Sequence, residues 1–303
     1  MNKRLLIILF TILNSFALAQ NDHWWWYQIH QHDGVTPWQR YLVLSPAYFG
    51  PNAFPVPEIN SGRITSNFEF ENAVEGHFNK HEQTYNLLTK LNIPLIEDKV
   101  GIKLSIVPIE FFSHDTLIRD QRFSRNYNGK GSANGDLYIT TLIQLLKDHT
   151  VWPDVLLGIN IRTASGNNFD DARFADSPGY FFDISAGKKI VFKNKTIKAV
   201  RIYGMLGFYA WQTNLPDHFQ DDALLYGSGI QIDANLLFTN ELGGFYGYLN
   251  NGDRPLVYRS SIKTHRNKRL NYCFHFEHGI NDYNFRSFRV SLIYSPHKAK
   301  IKE

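Results

Sequence analysis

The feature that most constrains this chain is an alternation of apolar and polar residues with period two, sustained over segments of about 10 residues and interrupted by turn-forming residues. Between residues 67 and 78, Phe68, Phe70, Val74 and Phe78 share one face, while Asn67, Glu69, Glu71, Glu75 and His77 share the other. Farther on, Val155, Leu157, Ile159 and Ile161 stand against Asp154, Asn160 and Arg162, and Tyr180, Phe182, Ile184 and Ala186 against Asp183 and Ser185. Ile230, Ile232, Ala234, Leu236 and Phe238 oppose Gln231, Asp233 and Asn235. Successive side chains leave a strand on opposite sides, so each segment predicts a strand with one uncharged face.

A soluble sandwich alternates in the same way, with its charged face in water. Three features separate the two folds. Aromatics make up 15% of the chain, with 23 Phe and 16 Tyr, which suits strands whose uncharged face meets lipid. At the N-terminus, Lys3 and Arg4 precede an apolar run from Leu5 to Leu13 and a small-x-small site at Ala17-Leu18-Ala19, the pattern of a secretory signal peptide over residues 1 to 19. That run is shorter than the roughly 20 apolar residues of a membrane helix, and no later stretch approaches that length. The only cysteine, Cys273, rules out an internal disulfide framework, and no cysteine follows the cleavage site to carry a lipid. The formal charge of +4 falls to +2 without Lys3 and Arg4, and the tail residues Lys298, Lys300, Lys302 and Glu303 account for the rest. A near-neutral body excludes a nucleic-acid-binding face.

The third feature is loop length. Segments at 63 to 78, 82 to 94, 99 to 112, 134 to 147, 153 to 164, 178 to 190, 196 to 212, 223 to 239, 241 to 249, 255 to 265, 270 to 280 and 285 to 295 give about twelve strands, an even number as single-chain bacterial barrels require. With the C-terminal end in the periplasm, the long connections 113 to 133, 165 to 177 and 213 to 222 all fall outside the cell, and the short ones 95 to 98, 148 to 152, 191 to 195 and 266 to 269 inside. Long outer loops and short inner turns are the expected asymmetry. The predicted fold is therefore all-β, an antiparallel transmembrane β-barrel over residues 62 to 295 in a bacterial outer membrane, followed by a basic periplasmic tail over 296 to 303. Its expected surroundings are outer-membrane lipid and lipopolysaccharide. Pro108 lacks a ladder donor, so a bulge is expected there. From Arg201 to Trp211 both faces are apolar or aromatic, and inside and outside stay unassigned.

Residues 20 to 61 stand apart. They hold Trp24, Trp25, Trp26 and Trp38, four of the six tryptophans, together with Pro37, Pro46, Pro51, Pro55 and Pro57. Prolines remove ladder donors, so this is read as an ordered non-barrel segment, a plug in the lumen or a periplasmic element that docks a partner. A disordered lead-in and a thirteenth strand over 41 to 49 are the alternatives.

The polar faces collect the lumen-facing candidates Glu69, Glu71, Glu75, Lys103, Asp136, Asp154, Arg162, Asp183, Asp233, Arg259, Lys263, His275, Glu277 and Arg289. Charges at membrane depth must pair or meet water, so they either line a conduit or fill a small barrel as salt bridges. His275 and Glu277, with Lys263 and His265 on the preceding strand, could serve acid/base chemistry, but a satisfied polar pair is the plainer reading and no enzyme is expected. His23, His30, His32 and Asp33 match no defined metal spacing. Asp170, Asp171 and Asp176 in one loop, and Asp217, Asp221 and Asp222 in another, match no calcium-loop pattern. No cofactor or metal is expected. Arg119, Arg122, Arg125 and Lys130 in the 113 to 133 loop could meet lipopolysaccharide.

The strands Gly135-Asp136-Leu137-Tyr138-Ile139-Thr140-Thr141 and Pro153-Asp154-Val155-Leu156-Leu157-Gly158-Ile159-Asn160-Ile161-Arg162-Thr163-Ala164-Ser165-Gly166 resemble adjacent strands of outer-membrane transporters of hydrophobic compounds. The resemblance covers about 30 residues and departs from the usual Pro-Thr-Gly ending, where this chain has Thr163-Ala164-Ser165-Gly166. The whole mature chain is similar to uncharacterised outer-membrane β-barrel proteins of Bacteroidetes-type bacteria. The resemblance implies transport and carries over no functional residue. The expected function is a porin-like passive channel or transporter for small solutes. A structural or partner-binding barrel with a filled lumen is the alternative, and a lipid-acting enzyme the third.

Overall fold

A computed structural model describes residues 23 to 193, 196 to 264 and 269 to 296. The signal segment, His265 and all but the first residue of the tail lie outside the described residues. A short helix, α1 (Trp24–Ile29), and 3-10 turns at Trp38–Tyr41 and Pro46–Tyr48 precede the sheet. The sheet then runs β1 (Glu69–Phe78), β2 (Glu82–Ile96), β3 (Val100–His114), β4 (Lys130–Ala133), β5 (Tyr138–Leu146), β6 (Asp154–Arg162) and β7 (Gly179–Val191). It continues with β8 (Ala199–Gln212), β9 (Gln220–Asp233), β10 (Leu237–Gly247), β11 (Leu256–Lys263), β12 (Leu270–Asn281) and β13 (Arg286–Tyr294), and a second helix, α2 (Thr116–Gln121), lies in the β3–β4 loop.

Neighbours in sequence pair antiparallel, and β1 returns to β13 in register from Phe70 opposite Tyr294 to Phe78 opposite Arg286. The sheet is therefore closed, the state in which strands can cross a bilayer without leaving backbone groups unpaired. β4 and β5 both lie on β3 with the same offset, Ala133 opposite Glu110 and Tyr138 opposite Ser105, so they are one stave interrupted at 134 to 137. Counted this way the barrel has twelve staves. The interruption faces the irregularity expected at Pro108. The β2–β3 register shifts between Leu87 and Thr89, Gly135 N donates to Val107 O at 2.8 Å, and Asn134 Nδ2 donates to Pro108 O at 2.5 Å.

Two boundaries differ from the sequence reading. The sheet begins at Glu69 rather than near Gly62. Gly62 sits at φ +78°, where a Cβ would lie 2.5 Å from Gly187 N and 2.8 Å from Asp154 O, so the chain turns tightly against the wall before entering β1. The β9–β10 turn falls at 234 to 236, not at 240, with Ala234 N donating to Leu236 O. The apolar alternation runs unbroken through this short turn, which hid it.

Facing follows the pleat. Val74 is 64% exposed on the outer surface and its neighbour Ala73 2% exposed inside. Phe70, Tyr180, Phe182, Ile184 and Ile161 also face out, while Glu75, His77, Asn160, Arg162 and Asp183 are buried. In β8, where sequence left the faces open, Ile202, Leu206 and Phe208 are outside and Arg201, Tyr203, Met205, Tyr209 and Trp211 inside. The connections 79 to 81, 115 to 129, 163 to 178, 213 to 219, 248 to 255 and 282 to 285 share one end, and the turns 97 to 99, 147 to 153 and 234 to 236 the other.

Candidate functional site: the lumen and the segment within it

The chain ahead of β1 lies against the long-loop end and then runs down inside the barrel. Trp26 Nε1 donates to Phe123 O at 2.9 Å, Trp25 packs edge-on to Tyr127 at 5.3 Å, and the guanidinium of Arg119 sits 4.4 Å over the Trp25 ring. Arg125 covers Trp38 at 4.7 Å. Thus Arg119 and Arg125 hold tryptophans and Arg122 pairs with Glu82 at 2.6 Å, which leaves Lys130 as the exposed member of the four basic loop residues. Asp33 accepts from Val35 N, Thr36 N and Thr36 Oγ1, and these bonds, that of the Thr36 hydroxyl foremost, draw its carboxyl down to about 2. The His32 ring is taken by Gly34 N and Thr36 O, and His30 packs on Phe123 at 4.5 Å. Burial lowers the His30 pKa. The histidines therefore pack this end of the chain together, and among the described residues no cluster of three or more His, Cys, Asp or Glu could hold a metal ion. In the 163 to 178 loop, Asp171 accepts from Ser124 and Asn126, and burial raises its carboxyl.

From Leu42 to Ile64 the segment is bound by the wall through its own backbone. Residues 42 to 64 form no strand of the sheet, and their buried carbonyls need donors from elsewhere. Inward side chains supply them. Trp211 Nε1 donates to Leu44 O at 2.9 Å, Arg162 Nη1 to Ala53 O at 2.7 Å, Arg259 Nη2 and Nη1 to Val56 O and Pro57 O at 2.5 and 2.9 Å, and Arg201 Nε to Ser61 O at 2.9 Å. Arg162, a lumen candidate, stacks on Phe54 at 4.4 Å as well.

The lumen has two unlike halves. Inward faces of β7 to β11 carry a large apolar patch, where Phe181, Tyr203, Met205, Tyr209, Trp211, Leu225, Phe245 and Val257 form one core with Leu42, Leu44, Phe49, Phe54, Val56 and Ile59 of the segment. Ile59 enters a space kept by glycines, since a Cβ at Gly227 or Gly243 would lie 2.4 or 3.0 Å from its Cδ1. This explains why both faces of β8 read as apolar: one faces out of the barrel, the other meets the segment.

The opposite half, from β1, β2, β3, β12 and β13, is a continuous polar network. Glu82 takes Arg122 and Arg173, and Arg173 Nε also donates to Glu110 at 2.7 Å. Asn52 of the segment donates to Glu110 at 2.6 Å and to Asn86 at 3.1 Å. Asn86 bonds His77 at 2.9 Å and Glu75 at 2.7 Å, and His77 reaches Ser287 at 2.7 Å. Arg289 joins Glu75 to Glu58, which in turn takes Lys90 and Lys103. A cavity of about 160 Å³ lies between this wall and the segment. Glu58, Glu75, Lys90, Lys103, His275, Glu277 and Arg289 line its polar side, and Leu88, Val107, Phe174, Phe181 and Val56 its apolar one.

The sequence candidates are spread along the lumen. Glu75, Lys103, Asp136, His275, Glu277 and Arg289 border the cavity. Arg259 Nε meets Glu277 at 2.5 Å, and among the described residues no Ser or Asp side chain bonds the His275 ring. Glu69 and Lys263 approach at 3.9 Å, and Glu71 lies opposite Lys90 across the β1–β2 pair. Asp136 accepts from Gly166 N at 2.7 Å at the stave interruption. Near the short-turn end Asp154 pairs with Arg201 at 2.5 Å and Asp233 lies 4.0 Å from Lys189, while mid-wall Asp183 accepts from Asn60 and Asn160. Sequence reasoning missed Lys90, Glu58, Glu82, Glu110, Arg173 and Arg201, and it gave Arg122 to the lipopolysaccharide surface although its side chain is buried on Glu82. Lys90 was legible, because Glu82, Thr84, Asn86, Leu88 and Lys90 alternate on one face. Glu58, Arg122 and Arg173 lie on non-strand segments that carry no period.

No family model matches the chain, and no curated protein matches it significantly. Solved structures do. An outer membrane channel from Pseudomonas putida F1 superposes with a TM-score of 0.50 at 14% identity, covering 81% of this chain and 97% of that one. A KdgM porin in complex with disordered oligogalacturonate gives 0.45 at 10% identity over 76% and 99%, and the CymD monoaromatic hydrocarbon channel 0.36 at 10% over 77% and 90%. The chain thus has the closed antiparallel fold of outer-membrane β-barrels.

Proposed function

We propose that the protein is a porin-like channel of the bacterial outer membrane that passes small solutes along the polar half of its lumen, with residues 42 to 64 as a plug. The observation that carries this reading is the asymmetry of the lumen: the apolar side chains of the segment share one core with β7 to β11, and the cavity lies against the charged half. Placing the long loops outside puts α1 at the outer mouth and the end of β13 on the periplasmic side, with Phe70, Val74, Phe182, Ile184, Leu206 and Phe208 in lipid. The expected outcome in planar bilayers is a small conductance in the intact protein that grows on deletion of residues 23 to 61. Absence of current from both forms would refute it.

A partner-binding barrel is the second reading, favoured by one observation: Trp24, Tyr27 and Ile29 are exposed on α1 at 57%, 42% and 47%. In the proposed orientation that partner sits at the cell surface, not in the periplasm. Copurification that depends on these three side chains, from a barrel that passes no current, would favour it.

A further inference from the structure

One cluster on the polar wall holds a positive charge more than its own carboxylates match, and the segment supplies the counter-ion. Lys90 on β2, Lys103 on β3 and Arg289 on β13 converge beside the wall carboxylates Glu71 and Glu75. Three cations against two carboxylates leave one charge unmatched. Glu58 fills the deficit, with Oε1 at 2.5 Å from Lys90 Nζ and 2.9 Å from Arg289 Nη1, and Oε2 at 2.9 Å from Lys103 Nζ. Arg289 has Glu75 as a second partner, but among the described residues Glu58 is the only carboxylate within 4.0 Å of Lys90 or Lys103. The three cations are on paired strands, whereas Glu58 is on irregular chain between Pro57 and Ile59. The side chain of Glu58 is also the most open of the four, 37% exposed against 8%, 26% and 19% for Lys90, Lys103 and Arg289.

We propose that Lys90, Lys103 and Arg289 form a carboxylate-binding site for the transported solute, and that Glu58 is its tethered stand-in, occupying the site until a solute carboxylate displaces it. This inference rests on the channel reading and names the solute class: a small monocarboxylate with an apolar body. The body follows from the cavity, whose lining also includes Leu88, Val107, Phe174 and Phe181. At about 160 Å³ it is of the size that admits a benzene-like group. A tethered ligand acts at an effective concentration on the order of millimolar, so a free carboxylate competes against Glu58 as well as against water.

The test is titration of the purified full-length barrel in detergent with benzoate, and with benzamide as the uncharged control. Glu58→Gln should bind benzoate at least tenfold more tightly than the parent protein, leave benzamide unchanged, and lose the gain when combined with Lys103→Met. Equal benzoate affinity in parent and Glu58→Gln, or an equal gain for benzamide, would overturn the proposal. Should Glu58→Gln fail to fold, Glu58→Asp keeps the charge but shortens its reach, and must show an intermediate gain or the proposal falls. Bilayer currents separate the two claims. Benzoate binding without current leaves the site and removes the channel; current without the affinity gain does the reverse.

Discussion

Arg289 Nη1 lies 2.9 Å from Glu58 Oε1 while its Nε lies 2.5 Å from Glu75 Oε1, so one guanidinium ties the last strand to both the first strand and the plug. Glu75 is 4% exposed and has Asn86 as its other partner. Removing one member of a buried pair strands the other charge, which costs about 3 to 5 kcal/mol. Arg289→Met should therefore destabilise the barrel by about 3 kcal/mol at neutral pH, and the double change Arg289→Met with Glu75→Gln should recover part of the loss. Urea unfolding in lipid vesicles measures both, and full additivity would show that the two side chains act independently.

The plug's apolar grip centres on Phe54, whose ring lies 5.7 Å from that of Trp211 and under Arg162. Both rings are 1% exposed. Phe54→Ala and Trp211→Ala should each cost about 3 kcal/mol. Together they should fall short of the sum by about 1 kcal/mol, because each removes the same ring contact. Trp211→Ala also strands Leu44 O, so its loss should be the larger.

Gly227 and Gly243 are small so that Ile59 can approach the wall. Gly227→Val puts a branched side chain into the space the Ile59 Cδ1 occupies, with no change of charge. The expected result is a displaced plug and a raised conductance, reversed when Ile59→Ala is added. A raised current that Ile59→Ala does not reverse would place the effect in the strand instead.

How much of this could be read from sequence follows from what carries a period. Glu75, Lys103, Asp183, Arg259 and Glu277 sit on strands, where alternation fixes their facing. The closed twelve-stave fold comes from the same signal. The β9–β10 turn at 234 to 236 was lost because a short turn need not break the alternation. Arg201, Tyr203 and Trp211 were ambiguous because an inner face that binds the plug is as apolar as one that meets lipid. Glu58 and Arg173 were invisible for a different reason: they reach the lumen on irregular chain, where placement depends on tertiary contacts such as those of Arg259 with Val56 and Pro57. The composition of the plug set it apart from the barrel, but its partners could not be inferred from it.

The cap over the long-loop end should respond to pH through His30. Its ring packs on Phe123 at 4.5 Å and Trp26 at 4.9 Å, and burial lowers its pKa below the ordinary 6.5, with Asp120 raising it and Arg119 lowering it further. The docked cap thus binds the proton less readily than the undocked one. Docking is fully favoured above pH 6.5 and weakens as the pH falls below that value through the lowered pKa. Asp33, drawn down to about 2, stays ionised throughout and does not contribute. Acrylamide quenching of tryptophan emission should rise on acidification from roughly pH 7 to 5. His30→Gln should flatten that rise while leaving quenching at pH 7 unchanged, since a neutral side chain of similar reach cannot gain the charge that drives the cap apart. An undiminished rise in His30→Gln would move the pH response to another group.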